Sequence, residues 1–338
     1  IAETGIQVES KDIPVRPLQK KRRWWNFRDG NLFPSRKIES FSSLNKVVYA
    51  PYIWALDYHA NIRPGPIFRN RVKENPSNKG SLLHHLAERI FDHGSGIDWR
   101  TVNEKILHQK IDELFAELCR TEASYYLMPG LEVAKGQLVY NAKRAFWKLI
   151  TILQNSGIEE ISMEEEMDPI TFCGTNKIGG IIDLIARQNA ENTAVVDLKL
   201  GGKTTRHDEV ANNTHLQLAI YGKLMLENEK TDPATAYFIL SNGGTLLSRN
   251  KDFFSGVNPV VTKNNSNGPD WQRCWSEFEE IYQWRRRQID QGKLEVTSER
   301  PDSEESPDEP CPVGHWEPSE HASPYNIYDA LIGWNPED

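Results

Sequence analysis

The sequence predicts an α/β protein in which a β-sheet core is wrapped by an α-helical part. Apolar residues recur at helical spacing through much of the first half of the chain and again in two later stretches. Between these stretches lie short apolar segments rich in Ile, Val and Leu, two of which are separated by a short turn. This order, helices followed by a β meander, a helix and a further strand, is typical of a sheet covered by helices.

The elements are expected in the following order. The helical part is predicted as helices over residues 40–58, 80–91, 102–119 and 133–154. The sheet begins with strands over 161–167, 178–187 and 194–200, with a hairpin turn at 189–192 between the last two. A helix over 208–226, a strand over 235–240 and a helix over 271–291 complete the core. Within the 80–91 helix, Leu83, Leu86 and Ile90 form the apolar stripe.

Charge divides the 338 residues into three parts. The net charge of −8, taken alone, argues against a partner as anionic as nucleic acid. Residues 297–338 hold eleven acidic residues and one basic residue, so this acidic C-terminal tail carries −10 and the rest of the chain +2. Residues 1–39 form a basic N-terminal segment, where four consecutive cations at 20–23 suit either phosphate contact or a solvated entry segment. The core is therefore expected over 40–296, with the tail partly docked on it.

The remaining composition limits the class of protein. The four cysteines are far apart and form no CxxC pair, which predicts reduced thiols and a cytoplasmic protein rather than a disulfide framework or a zinc site. No stretch approaches the ~20 consecutive apolar residues needed to span a bilayer, so no membrane partner is expected.

An acidic pair on two neighbouring predicted strands is the most informative feature. Side chains alternate along a strand, so Asp197 and Lys199 point away from the core face of the third strand. Asp183 interrupts the apolar run of the preceding strand, where an isolated carboxylate is costly to bury. If the two strands pair, Asp183 and Asp197 approach each other, with Lys199 alongside.

Facing carboxylates repel each other unless a divalent cation or a raised pKa neutralises them. Asp183 and Asp197, with the backbone carbonyl of Leu198, offer the hard oxygen ligands that Mg²⁺ or Mn²⁺ prefers. A lysine beside such a site can orient or deprotonate an attacking water. The competing interpretation is a surface salt bridge between Asp197 and Lys199, which two glycines after the motif and the embedded Asp183 make less attractive.

Two helices add candidate residues. Gln217 and Tyr221 are four residues apart and share one helix face beside the acidic cleft, where they are either site residues or a polar pair at the helix boundary. His84 offers an imidazole as a metal ligand, although His85 next to it leaves the choice open.

Together these motifs resemble the PD-(D/E)XK nuclease superfamily, specifically its RecB- and AddB-like branch. The family order is a Gly-x-x-x-His helix, a strand acid, Asp/Glu-x-Lys, and Gln-x-x-x-Tyr on a helix. This chain has the same order, in Gly80/His84, Asp183, Asp197-Leu198-Lys199 and Gln217/Tyr221. Residues 164–166 are acidic where the family often carries another acid, and the resemblance spans about 40–291.

The resemblance implies a restriction-endonuclease-like core, a central mixed sheet flanked by helices, and Mg²⁺- or Mn²⁺-dependent hydrolysis of DNA phosphodiesters. His84, Asp183, Asp197 and the Leu198 carbonyl would bind the ion. Asp183, Asp197, Lys199, Gln217 and Tyr221 would form the catalytic centre, with Lys199 positioning the water. Lys203 and Arg206, in the segment after the motif, would contact the DNA backbone, and the arginines at 285–287 are further candidates.

One departure concerns the iron–sulfur cluster that many relatives bind through four cysteines. This chain has Ala50-Pro51 where they have Cys-Pro, and Cys311 is the one cysteine in the C-terminal counterpart. A cubane cluster needs about four thiolates, so no cluster is expected. The tail is predicted to be held by packing of Tyr325, Leu331 and Trp334 instead.

The resemblance further implies DNA as partner, as single strands or duplex ends, and a helicase or other defence or repair subunit. The leading hypothesis is an active nuclease in DNA repair, recombination or anti-phage defence. Two alternatives stay open at this point. One is a catalytically inactive DNA-binding or scaffolding module, which the intact Asp183, Asp197 and Lys199 disfavour, and the other is a metal-free structural domain.

Overall fold

The computed structural model describes residues 23–62, 76–250, 252–260, 270–296, 309–316, 328 and 331. The helices are α1 Phe41–Tyr49, α2 Pro51–Tyr58, α3 Pro76–Phe91, α4 Glu104–Thr121, α5 Glu132–Asn155, α6 Lys203–Asn212, α7 Leu216–Glu229 and α8 Asp270–Asp290. The strands are β1 Trp24–Asn26, β2 Glu160–Phe172, β3 Asn176–Arg187, β4 Thr193–Lys199, β5 Ala234–Ile239, β6 Thr245–Ser248 and β7 Lys293–Glu295. Among the described helices, none is long and apolar enough to cross a membrane.

A five-stranded mixed sheet in the order β2-β3-β4-β5-β6 forms the centre of the molecule. The pair β4 and β5 is parallel, and the other three pairs are antiparallel. The hairpin predicted between β3 and β4 is confirmed, with Arg187 opposite Thr193. A mixed sheet flanked by helices, with an additional helical part, is the fold class that the sequence predicts.

Alternation along β4 separates two hydrophobic cores, one on each face of the sheet. Ala194, Val196 and Leu198 pack with the apolar faces of α3, α4 and α5. Val195 lies on the opposite face with apolar residues of α1, α2, α7 and α8. Both faces are covered, so the strand is almost continuously apolar and Asp197 interrupts it from within the protein.

Two predicted helices are each broken in two. The helix predicted over 40–58 ends at Tyr49, and Pro51 starts α2, because proline fits the first turn of a helix but has no N–H for the interior of one. The helix predicted over 208–226 is divided into α6 and α7, because Asn213, the residue that follows α6, adopts the left-handed conformation with φ of 62°. The short strands β1, β6 and β7 were not predicted, and β1 pairs with β7 in a separate two-stranded sheet.

Residues expected at the surface or in the tail are placed differently. Arg285 is fully buried and pairs with Glu295, so it cannot contact phosphate as the sequence suggested. Arg23 is also buried against Glu295, while 20–22 lie outside the described residues. Tyr325 and Trp334 likewise fall outside the described part of the chain. Leu331 is half exposed, whereas Trp316 and Tyr328 are the buried residues among those described between 309 and 331.

Candidate active site

Asp183 lies where β3 meets β4, close to Asp197 on the neighbouring strand. The antiparallel register pairs Leu184 with Val196, and continuing it by one residue sets Asp183 opposite Asp197. The backbone N–H of Leu198 donates a 2.7 Å hydrogen bond to Asp183 Oδ2. Strand pairing therefore brings together the two carboxylates that were expected to meet, and one backbone donor orients Asp183.

Asp197 is completely buried, with Lys199 as its cationic neighbour. Lys199 Nζ lies 2.7 Å from Asp197 Oδ2, so the pair is an ion pair inside the cleft and not the surface salt bridge of the competing interpretation. Asp197 Oδ1 has no hydrogen-bond partner among the described residues. A buried carboxylate oxygen without a donor is costly, and a bound cation would compensate it.

A third acid, Glu164 of β2, joins this group. The register pairs Met163 with Leu184 and Glu165 with Ile182, which places Glu164 across from Asp183. Glu164 has φ of 48°, in the left-handed region that non-glycine residues rarely adopt within a strand. Its Oε1 lies 3.2 Å from Nδ1 of His84.

His84 reaches the site from α3 and contacts three of its groups. Its Nδ1 lies 3.8 Å from Asp183 Oδ2, and its Nε2 lies 2.9 Å from the carbonyl oxygen of Leu198. His85 points elsewhere and forms a hydrogen bond with Glu122. The helix therefore directs His84, and not its neighbour, towards the acids.

Burial and like charge raise the pKa values of the acids. Burial, followed by the nearby charge of Asp197, raises the pKa of Asp183 to about 7. Burial also raises the pKa of Asp197, although Lys199 opposes that shift. Burial alone would lower the pKa of His84, but its hydrogen bond with Glu164 and the charge of Asp183 raise it above the usual value. The cleft thus holds more negative charge than its own cations neutralise.

Helix α7 covers the site with Gln217 and Tyr221. Gln217 Nε2 donates to the Tyr221 hydroxyl over 3.0 Å, as expected for a pair four residues apart. Burial and the charges of Asp197 and Asp183 raise the pKa of Tyr221 well above its usual value. The side-chain amide oxygen of Gln217, Oε1, is buried and has no hydrogen-bond partner within the described ranges. It is a second unsatisfied polar atom in this region of the fold.

The two cations expected to bind DNA lie on α6 in different environments. Lys203, the first residue of the helix, is exposed. Arg206 is half-buried, donates to both carboxylate oxygens of Glu209 over 2.5 and 2.6 Å, and lies 5.4 Å from the ring of Tyr237. Tyr237 is the β5 neighbour of Asp197. Arg206 therefore faces the protein behind Asp197, and its proposed contact with DNA requires it to leave Glu209.

Ligand atoms of His84, Glu164 and Asp183 all lie within 4.8 Å of one another and could hold a metal ion. The unsatisfied Oδ1 of Asp197 is consistent with a cation in the same cleft. Two or three carboxylate oxygens, a carbonyl and one imidazole suit a hard divalent ion such as Mg²⁺ or Mn²⁺. The sequence left three consecutive glutamates as candidates for the additional acid, and only the strand register selects Glu164.

Comparison with known proteins agrees with this architecture. Over 213 residues, the chain is 23% identical to one subunit of the ATP-dependent helicase/deoxyribonuclease of Clostridium acetobutylicum. The aligned part is 57% of this chain but 18% of that relative, so the chain spans less than a fifth of the relative's length. The sequence profile of the PD-(D/E)XK nuclease superfamily matches residues 39–315, which include every strand of the central sheet and all the acids above. The chain belongs to the PD-(D/E)XK nuclease superfamily.

Proposed function

We propose that this protein is a metal-dependent DNA nuclease that hydrolyses phosphodiester bonds. The observation that carries the proposal is a cluster of three acids, the buried Asp183 and Asp197 and the half-buried Glu164, with an unsatisfied carboxylate oxygen on Asp197 and Lys199 beside it. A fold does not need this arrangement for stability, because burying several carboxylates together is unfavourable. It is useful when a divalent cation and a phosphate are to be held.

The chemistry is divided among the residues as follows. Asp183, Asp197, His84, Glu164 and the Leu198 carbonyl would hold Mg²⁺ or Mn²⁺, which would polarise the phosphate and acidify a water. Lys199 is partly exposed, so its ammonium group can orient the attacking water and stabilise charge that develops on the phosphate. The hydrogen bond between Gln217 and Tyr221 fixes the side of the cleft that α7 forms. The side-chain oxygen Oε1 of Gln217 remains available as a hydrogen-bond acceptor.

The substrate and setting that we propose follow the relative's name. That protein is described as a subunit of an ATP-dependent helicase/deoxyribonuclease. We infer that this chain acts on DNA ends or single strands, together with a helicase or another subunit, in DNA repair, recombination or anti-phage defence. Lys203 and Arg206 are proposed to contact the DNA backbone, Arg206 after exchanging Glu209 for phosphate.

The test is a nuclease assay on linear single- and double-stranded DNA. We expect cleavage with Mg²⁺ or Mn²⁺ that EDTA abolishes, and a loss of at least about 100-fold in rate for Lys199→Ala. Lys105→Ala is the matched control, because Lys105 is an exposed lysine of α4 away from the acids. Equal cleavage by wild type and Lys199→Ala, or cleavage that persists in EDTA, would contradict the proposal.

The same samples separate the alternatives. A catalytically inactive DNA-binding module would bind DNA and leave it uncut under every metal condition. A metal-free structural domain would show no change in melting temperature when Mn²⁺ is added. The proposed nuclease is expected to be stabilised by Mn²⁺, because a ligand that binds only the folded state shifts unfolding to higher temperature.

A further inference from the structure

Helix α5 runs across the sheet towards the edge that carries Lys199. The C-terminal end of α5 lies at the start of β4, where Gln188 Nε2 donates to the Ser156 carbonyl over 2.7 Å. Arg144 lies at the opposite edge of the sheet, close to Gly243. A methyl group added to Gly243 would come within 3.1 Å of the Arg144 guanidinium carbon. Gly243 belongs to the turn after β5, whose start is bonded to Lys199, with the Leu240 N–H donating to the Lys199 carbonyl over 2.7 Å.

Arg144 therefore marks the level of this edge, with Tyr140 one turn before it along α5 and Lys148 one turn after it. The stretch from Tyr140 to Lys148 rises about 12 Å along the helix axis, or about 6 Å for each turn of four residues. Residues 140–148 of α5 therefore pass the edge where Lys199 lies.

The exposed face of residues 140–148 combines aromatic and cationic groups. Tyr140 is 59% exposed. The Arg144 guanidinium carbon lies 5.6 Å from the Tyr140 ring centroid. Lys148 continues the same face one turn further on, since positions 140, 144 and 148 are each four residues apart. Neither Arg144 nor Lys148 forms an ion pair with any described residue, so both charges are available to a ligand.

Charge distinguishes α5 from the rest of the chain. The helix holds four Lys and Arg residues and one acid, a net charge of +3, whereas residues 1–296 as a whole carry +2. A row of free cations attracts a phosphate backbone, and an exposed ring offers a surface on which a base can stack. A protein partner would more often cover such a row with opposite charge and bury the ring in an apolar pocket.

We propose that the face of α5 formed by Tyr140, Arg144 and Lys148 is a binding track for single-stranded DNA leading to the candidate site. This inference rests on the proposed nuclease function and extends it by assigning a form of substrate and an entry surface. Tyr140 stacks on a base, while Arg144 and Lys148 contact successive phosphates. The ring and its neighbouring guanidinium are preoriented by their mutual cation–π contact.

The first measurement is fluorescence anisotropy with a fluorescein-labelled oligothymidylate of about 20 nucleotides, in EDTA so that no strand is cut. We expect Tyr140→Ala to weaken binding roughly 10-fold, while Tyr140→Phe keeps the wild-type affinity. Arg144→Glu should weaken binding and lower the slope of log affinity against log salt by about one. Lys105→Glu is the matched control and should bind like wild type, because its α4 end lies near Gln154, at the opposite end of α5.

The second measurement is cleavage of the same oligonucleotide in Mn²⁺, where the Tyr140→Ala variant should raise KM and leave kcat unchanged. If the chain binds the oligonucleotide through Tyr140 but never cuts, the nuclease proposal fails and the track stands. If the chain cuts the oligonucleotide while the Tyr140→Ala and Arg144→Glu variants bind it like wild type, this face of α5 is not a DNA-binding track. Failure of the wild type to bind, or equal losses on a blunt duplex, also overturns it.

Discussion

The carboxyl group of Asp183 shows how a single residue carries the conflict between fold and site. It accepts a backbone hydrogen bond from Leu198, which favours its charged form, yet it is buried opposite Asp197, which disfavours it. The second effect prevails, so the pKa of Asp183 rises to about 7. The strands that position the acid therefore also store unfavourable electrostatic energy that a cation would relieve.

We expect the metal-free protein to lose stability as pH rises from about 4 to about 7. The folded chain holds the Asp183 proton up to a pKa of about 7, whereas an unfolded Asp releases it near 3.9. The folded state therefore binds more protons in this range, and the free energy of unfolding falls as pH increases, by on the order of 2–4 kcal/mol. Urea unfolding in EDTA at several pH values measures this slope.

Asp183→Asn should flatten the slope, because the amide oxygen can still accept from Leu198 but carries no charge. Asp112→Asn is the control and should keep the wild-type slope, since Asp112 is exposed and pairs with Lys143. A wild-type protein that becomes more stable over this pH range in EDTA would refute the electrostatic account.

At the residue scale, the sequence predicts the acids that interrupt apolar strands and leaves out those that depend on register. Asp183 and Asp197 could be identified because a carboxylate inside an apolar run is unusual. Selecting Glu164 among three consecutive glutamates required knowing which residue lies opposite Asp183. The engagement of Arg206 by Glu209 depends on side-chain packing over Tyr237, which spacing along the chain does not encode.

At the scale of elements, the packing of α7 against α8 keeps the Gln217–Tyr221 face directed at the acids. Gly222 of α7 lies under the indole ring of Trp271, the second residue of α8. The Trp271 Nε1 donates to Asp232 over 2.9 Å, which fixes the ring from its other side. The close approach of the two helices thus depends on the absence of a side chain at position 222.

Gly222→Ala should therefore destabilise the protein although alanine favours helices. An added methyl carbon would lie 2.5 Å from the Trp271 ring, so the helices must separate or the indole must move, at a cost of about 1–3 kcal/mol. Gly136→Ala in α5 is the matched control, because no atom lies within 4 Å of the new methyl group. It should stabilise by about 0.5–1 kcal/mol.

Chemical denaturation of both variants gives the comparison, with DNA cleavage as a second readout for the Gly222→Ala variant. Stabilisation by both alanines would mean that α7 and α8 are further apart at position 222 than the 2.5 Å approach to Trp271 implies.

Long elements with regular apolar periodicity, such as α4 and α5, could be predicted from sequence almost to their ends. The strands β1, β6 and β7 could not, because three or four residues are too few to show alternation.

At the scale of the whole molecule, a C-terminal segment is joined to the first helix and to the last. Trp316 is fully buried and stacks on Tyr49 of α1, with ring planes 7° apart and centroids 6.0 Å apart. Glu309 accepts a hydrogen bond from Trp284 of α8 through its backbone carbonyl and pairs with Arg287. Tyr49 directly precedes Ala50, so this aromatic stack lies where relatives were expected to have a cluster cysteine. Composition predicted other anchors, Tyr325, Leu331 and Trp334. It shows which residues are apolar but not which of them packs against a ring such as that of Tyr49.

Trp316→Ala should lower the free energy of unfolding by about 3–5 kcal/mol, because it removes a completely buried indole and leaves a cavity against α1. Leu331→Ala is the control within the same tail and should change stability by less than about 0.5 kcal/mol, since Leu331 is half exposed. Urea unfolding followed by far-UV circular dichroism measures both variants. If Trp316→Ala unfolds like wild type, the segment is not part of the cooperative fold. A larger effect of Leu331→Ala would instead return the anchoring role to the residues predicted from sequence.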